Sequence, residues 1–519
     1  MRIIVYTVLL SIQGIVCFSQ GRSEKYAVSI TAADLQKHLA IVAGPEMEGR
    51  ETATPGQKKA AAYIESQFSS FGLKPGNNGS YQQHFSLIED TLVSGTIIIG
   101  QHILALGTDF MMSASLNEND SVHADRLVFA GYGISDSLYD DYKNLDVKGA
   151  VIMLSSGEPK QGNSFLLTGT RFPSAWSSMR KKIEAAITKG AVGVLVVSPG
   201  IVYIDSGNAV QIKKSGTYLP LKEVKNSINV ANISHKAFRQ LFGLKYGDSL
   251  LTKLGRAEKC GSGDYRIVNE KVSFTYREMK YEAGTSSNVV ALIEGSDKKE
   301  EYVFLTAHYD HIGKRGNIIY FGADDDGSGT VSLIEMAEAF AKAKSEGNGP
   351  RRTIVLMAVS GEEKGLWGSR YYADYPVFPL EKTTVNLNID MVGRIDPKRG
   401  YGDSLNYVYV IGDDKLSTDL KKISESVNKR YTKLELDYKY NDPKDPERIF
   451  YRSDHFNFAR KGVPILFYFN GTHADYHRPT DTIEKINFSL MEKRIRLVFH
   501  TAWKIANRNG MLKRDIPLQ

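Results

Sequence analysis

The stretch Thr306–Thr330, TAHYDHIGKRGNIIYFGADDDGSGT, constrains the fold of this chain more than any other. The apolar run Tyr302–Ala307 before it reads as a buried strand, and Val331–Lys344 after it carries apolar residues at helical spacing. His308, Asp310 and the triplet Asp324, Asp325, Asp326 are therefore expected in loops at the carboxyl end of a sheet. Open α/β sheets place their ligands there. Imidazole beside carboxylate suits a divalent metal, most often zinc.

A chain of 519 residues has room for two or three domains. Its formal charge of +7 is mild for that length, and the basic residues are scattered rather than striped, which argues against nucleic acid as a partner. Met1-Arg2, the mostly apolar Ile3–Val16 and then Cys17-Phe18-Ser19 read as a secretory leader over 1–19, with Gln20 as the mature start. That implies a secreted or periplasmic protein. The apolar run is too short for a membrane anchor, and no other segment is long and apolar enough to span a bilayer. Gly14-Ile15-Val16 fits poorly with lipid attachment at Cys17. Cleavage leaves Cys260 alone, so no internal disulfide is expected.

Thr31 is placed to cap a helix from Ala32, and a second helix is expected over Gln57–Phe71, after the polar loop GPEMEGRETATPG. Between about Leu116 and Glu270 the pattern changes to strands with one helix between, and no His, Asp or Glu there is grouped at ligand spacing. This block reads as a domain inserted into the first one. The resulting division is a leader at 1–19, a first part at 20–115, an insert at 116–272 and the catalytic part at 273–519. In that last part strands are expected at Asn288–Ile293, Tyr302–Ala307, Thr353–Val359, Thr384–Ile389 and Ile465–Phe469. Helices are expected at Ser328–Lys344, Gly368–Tyr375, Asp414–Val427 and Leu490–Asn507.

Three further strands end on polar groups. Thr353–Ser360 runs into Glu362-Glu363, Thr384–Ile389 into Asp390, and Ile465–Phe469 into GTHADYHRPTDT. If the sheet is parallel, four strand ends converge on one edge. Two zincs sharing one carboxylate need about five protein ligands. His308, Asp325, Glu363, Asp390 and His477 supply them. Glu362 is then left as general base on the attacking water. An acidic pair opening a helix is otherwise a solvated turn, but this pair follows a buried strand.

HYDHIG, GADDDGSGT, SGEEKGLWGS, NIDMVGR and DYHRPTDT together resemble the co-catalytic di-zinc aminopeptidases, a family whose relatives include glutamate carboxypeptidase and glutaminyl cyclase. The resemblance covers about Ala32–Leu73 and Ser273–Asn507. It implies an α/β zinc exopeptidase fold, with a central mixed, mostly parallel sheet flanked by helices. It further implies that His308 and Asp390 bind one zinc, Glu363 and His477 the other, and Asp325 both. Glu362 would be the base acting on a hydroxide that bridges the two metals. Asp310 would hydrogen-bond His308, Tyr476 would stabilise the oxyanion, and the bond Asp325–Asp326 would be cis. VFAGYGI, YDDYKNLDVKG and KGAVGVLVV in the insert resemble the β-rich protease-associated domain, an accessory module.

The expected activity is removal of N-terminal residues from peptides. A carboxypeptidase of the glutamate carboxypeptidase type would need a basic cluster for the substrate carboxylate, and the sequence identifies none. A glutaminyl cyclase would use one zinc, and a non-catalytic binding protein would have lost ligands. His311 and His473 exceed the ligand count and are left out, while Asp324 and Asp326 are expected to hold the loop. Asp454-His455 either line the pocket or cap a helix, and Arg452 either meets a substrate carboxylate or lies on the surface.

Overall fold

The computed structural model describes residues 22–112, 121–198, 214–220 and 228–518. The leader, Cys17 and Gln20 lie outside the described residues. The chain divides into two compact units, Met1–Ser86 with Gly284–Gln519, and Leu87–Ala283. The sequence pattern put the boundaries at 116 and 272. They fall elsewhere because Gln82–Ile99 and Val272–Ile293 are each one unbroken strand, so no loop marks either crossing.

In the first unit, α1 (Ala32–Val42) starts where the Thr31 side chain accepts from the Asp34 amide. Thr54 does the same for α2 (Pro55–Ser70), with Pro55 in its first turn. The sheet's strands are β1 (Lys298–His308), β2 (Arg352–Val359), β3 (Thr383–Ile389), β4 (Tyr407–Ile411) and β5 (Ile465–Phe469). Their order is β2-β1-β3-β5-β4, with Glu435–Asp437 beyond β4 and Val289–Ile293 beyond β2. The run β2-β1-β3-β5 is parallel throughout. Antiparallel pairs, Val289–Ile293 on β2 and β4 on β5, close it at either side. The sheet is thus mixed and mostly parallel, as expected.

β2, β3 and β5 are buried along their whole length, and β1 from Tyr302 on, which is why they read as continuous apolar runs rather than alternating ones. The helices α3 (Gly329–Ser345) and α4 (Phe488–Asn507) bury most of their residues. Phe340 of α3 meets Phe499 of α4 with ring centroids 4.6 Å apart. Each such ring contributes about 1.5–3 kcal/mol by leaving water. In register, His308 lies opposite Val359, Thr306 opposite Asn388, and Ile389 opposite Tyr468, so four strand ends fall on one level.

Two expectations shift here. The short strands Tyr407–Ile411 and Glu435–Asp437 were not foreseen. The helix expected from Asp414 begins only at Leu420, because Lys415 turns back to Gly412 and Thr418 is tied by its amide and hydroxyl to Asp515.

The second unit is built on a six-stranded sheet. Leu127–Phe129, Val151–Ser155, Gly193–Val197 and Asn229–Ile233 pair in parallel, with antiparallel strands Arg266–Val268 and Phe110–Met111 at the edges. Helices lie at Met179–Thr188, His235–Phe242 and Leu244–Gly255, where the sequence suggested one. Cys260 is buried in this unit's core. Among the described residues no helix is long and apolar enough to cross a membrane.

Candidate metal centre

The site stands at the carboxyl ends of β1, β2, β3 and β5. β1 delivers His308 as its last residue, and the chain then runs through Tyr309, Asp310 and His311 to the turn Ala323–Ser328 that opens α3. Gly322 precedes this turn at φ +55°, and a Cβ there would lie 2.3 Å from the Asp325 carbonyl and 2.5 Å from the His311 ring. Only glycine fits. The peptide bond Asp325–Asp326 is cis.

The flanking acids hold this loop. Asp326 accepts from the amides of His308 (3.2 Å), Gly329 (2.8 Å) and Met391 (3.0 Å), tying three segments to one carboxylate. Asp324 accepts from the Gly393 amide at 2.7 Å and lies 3.1 Å from His473 Nε2. Asp481 accepts from the amides of Asp324 (3.0 Å) and Asp325 (3.1 Å). Asp481 stands in the motif DYHRPTDT, yet nothing in that motif marks it as a backbone acceptor.

Asp325 is left facing two groups of donors. On one side His308 Nε2 lies 3.3 Å from Asp325 Oδ1 and 3.6 Å from Asp390 Oδ1. On the other, His477 Nε2 lies 3.1 Å from Asp325 Oδ2 and 3.0 Å from Glu363 Oε2. His311 Nδ1 joins the second group, 2.8 Å from Glu363 Oε1 and 3.8 Å from Asp325 Oδ2. Two sets of atoms that could hold a metal ion, His308-Asp325-Asp390 and His311-Asp325-Glu363, thus share Asp325. Zinc ligands at about 2.0–2.2 Å from one ion stand about 3–3.5 Å from each other.

Alignment separates this arrangement from ordinary ion pairing. His308 Nε2, His311 Nδ1, His477 Nε2, Asp325 Oδ2 and Glu363 Oε1 are all buried and make no hydrogen bond, despite these short distances. The groups are close without pointing at each other, as donors aimed at a common ion would be. Buried polar atoms without partners are otherwise costly. The residues present fit two divalent ions.

The electrostatics follow from burial. Burial by itself would raise the Asp325 carboxyl, but His308 and His477 outweigh it and hold it well below the usual carboxylate range. Burial would lower His477, yet Asp325 and Glu363 push it up to about 10. Glu362 has its Oε2 4.0 Å from His308 Nε2. Burial raises it well above the ordinary glutamate range; His308 opposes, while Glu363, Asp390 and Asp454 add to the rise. Tyr476 stacks on His477 at 3.9 Å, and its hydroxyl accepts from Arg452 Nη2 at 3.3 Å. Burial and the carboxylates of Asp325, Glu363 and Glu362 push its phenol up, so it stays a hydrogen-bond donor.

Asp310 acts differently from the expectation. The group hydrogen-bonded to His308 Nδ1 is the carbonyl of Asp310, at 3.0 Å, while the carboxylate is 3.7 Å away. The turn after β1 brings the carbonyl closer. The Asp310 carboxylate instead accepts from Thr52 Oγ1 (2.8 Å) and from the Glu362 amide (3.2 Å).

Several supporting groups were not foreseen. Asn388 Nδ2 donates to Ser453 Oγ at 2.8 Å, and Ser453 Oγ donates to Asp390 Oδ2 at 2.6 Å. Arg50, fully buried, donates to the carbonyls of Val42, Tyr309, Phe321 and Gly322. The loop around Arg50 and Thr52 read only as polar. Asp454 is buried near Glu362, and burial pushes its carboxyl up to about 7. His455 belongs to the core, stacked on Phe467 and bonded to the Phe450 carbonyl at 2.8 Å. Arg452 is exposed.

Residues 288–502 match the model of peptidase family M28. A protein named probable leucine aminopeptidase from Arthroderma otae is 29% identical over 384 residues, covering 69% of this chain and 97% of the relative. A probable zinc metalloprotease from Leptosphaeria maculans is 27% identical over 268 residues, covering 43% and 58%. The chain spans a little over half the length of the first curated relatives it matches. Among solved structures, the aminopeptidase from Aneurinibacillus sp. strain AM-1 superposes with a TM-score of 0.50 at 18% identity, over 96% of this chain and all of that one. The fold is shared with that aminopeptidase, and residues 288–502 are similar to peptidase family M28.

Proposed function

We propose that the chain is a secreted, zinc-dependent aminopeptidase that binds two zinc ions and removes N-terminal residues from peptides. The observation that carries this reading is the pair of donor groups sharing Asp325, with Glu362 beside them. His308 and Asp390 would hold one ion, Glu363 and His477 the other, and Asp325 would serve both. Zinc bound there supplies positive charge that polarises the scissile carbonyl and acidifies the attacking water.

The protein's own groups do the rest. Glu362 takes a proton from the attacking water and returns it to the leaving amine, a role its buried place beside His308 suits. Tyr476, kept protonated, donates to the oxygen that gains charge on attack. The relative named leucine aminopeptidase, almost all of whose length this chain covers, supports attack at the N-terminal end. Exposed Arg452, bonded to Tyr476, is a group that favours a carboxypeptidase. The leader at Met1–Ser19 supports export, and the motifs of the insert support a protease-associated domain within Leu87–Ala283.

The test is metal content together with cleavage of an unblocked peptide and its N-acetylated twin. About two zincs per chain with cleavage of the unblocked peptide alone is expected. Cleavage of both peptides would favour the carboxypeptidase, and one zinc without cleavage a cyclase. Glu362→Gln is expected to keep both ions and lose at least about 10²-fold in kcat. Turnover at the wild-type rate would remove Glu362 from its role.

A further inference from the structure

We propose that His311 is an additional ligand, through Nδ1, of the ion held by Asp325, Glu363 and His477. The inference rests on the metal-dependent reading above and changes the composition of one of its two sites.

His311 is fully buried, and neither of its nitrogens makes a hydrogen bond. Its Nδ1 lies 2.8 Å from Glu363 Oε1, while His477 Nε2 lies 3.0 Å from Glu363 Oε2. The two imidazoles therefore bracket one carboxylate, with ring centroids 5.9 Å apart and planes at 70°. Both also face Asp325 Oδ2, at 3.8 Å and 3.1 Å. A single ion at about 2.0–2.2 Å from each donor is consistent with this spacing.

A hydrogen bond from His311 to Glu363 is the competing explanation, and alignment disfavours it. At 2.8 Å the pair is close enough, yet neither His311 Nδ1 nor Glu363 Oε1 has an aligned partner. His308 Nε2 and His477 Nε2 show the same signature against their carboxylates. His473 is the internal contrast. Its Nε2 makes an aligned hydrogen bond to Asp324 Oδ2 at 3.1 Å, as a histidine with a structural role does.

The backbone holds His311 in this place. Its amide donates to the Arg50 carbonyl at 3.2 Å, and Glu51 pairs with it across an isolated bridge. The glycine at 322 leaves room for the ring, since a Cβ there would meet two of its carbons at 2.5 and 2.6 Å. The second ion then has two imidazoles and two carboxylates, the first one imidazole and two carboxylates.

The test is a crystal structure of the full chain grown with zinc chloride, with the ions placed by zinc anomalous scattering. An ion about 2.0–2.1 Å from His311 Nδ1 is expected. An ion between Glu363 and His477 with His311 Nδ1 beyond about 3 Å, hydrogen-bonded to Glu363, would overturn this inference and leave the aminopeptidase reading standing. No ion at either group around Asp325 would overturn both.

Discussion

Asp390 presents Oδ1 toward His308 and gives Oδ2 to the hydroxyl of Ser453. One hydrogen bond thereby decides which oxygen is left for a metal. Ser453 is in turn fixed by Asn388, whose own carbonyl oxygen accepts from Thr306 Oγ1 at 2.7 Å. The chain of partners runs across β1 and β3, so the orientation of Asp390 is built into the sheet. Outer partners of this kind are worth about 10–100-fold in metal affinity. Ser453→Ala is expected to weaken one of the two bound zincs by about that factor and leave the other unchanged. Competition with a chromophoric chelator reads both sites. Two unaltered affinities would show that the hydroxyl does not orient the ligand. The candidate ligands could be named from the sequence because each follows or ends a strongly apolar strand. Ser453, Thr52, Arg50 and Asp481 were not, because they act through single hydrogen bonds whose partners are remote in sequence. His311 was set aside by counting ligands, and only its position in space brings it back.

At the level of elements, the strands carrying the site were legible because parallel buried strands leave unbroken apolar runs. The five-residue β4 and the three-residue strand beside it are too short for periodicity to separate from loop. The packing of α1 on α3 hides another feature. Glu335 on α3 is almost fully buried, with His38 Nε2 of α1 3.6 Å away and His38 Nδ1 bonded to Tyr63 at 2.7 Å. Burial, with Asp34 and Glu338 nearby, pushes the Glu335 carboxyl from 4.5 up to about 8, against the Thr31 backbone and Lys37. A raised acid favours the folded state while it stays protonated. Its contribution is complete below pH 4.5 and is lost as pH rises toward 8. Glu335→Gln keeps the shape without the charge. It is expected to raise stability at pH 8 by about 2–4 kcal/mol and to change little at pH 4. Denaturant melts at the two pH values check this; an equal effect at both would mean that the carboxyl is not strained by ionisation.

Across the whole molecule, each unit carries its own hydrophobic core. The first is built on β1–β5 with α1, α3 and α4, the second on the sheet around Val151–Ser155 and Gly193–Val197. The donor groups around Asp325 belong entirely to the first unit. Ion binding requires the folded loop, since its ligands come from four strand ends far apart in sequence, and binding free energy is then folding free energy. At a free zinc concentration about a hundredfold above the dissociation constant, one ion stabilises by about 2.7 kcal/mol. Calorimetry of the zinc-loaded chain is expected to resolve two transitions. Chelation should lower one of them by at least about 5 °C, at roughly 2–4 °C per kcal/mol for a domain of a few hundred residues. The other, belonging to Leu87–Ala283, should stay where it is. A single transition that moves as a whole would mean that the two cores unfold as one cooperative body. Two transitions that both ignore the chelator would mean that the buried donors around Asp325 hold no ion at all.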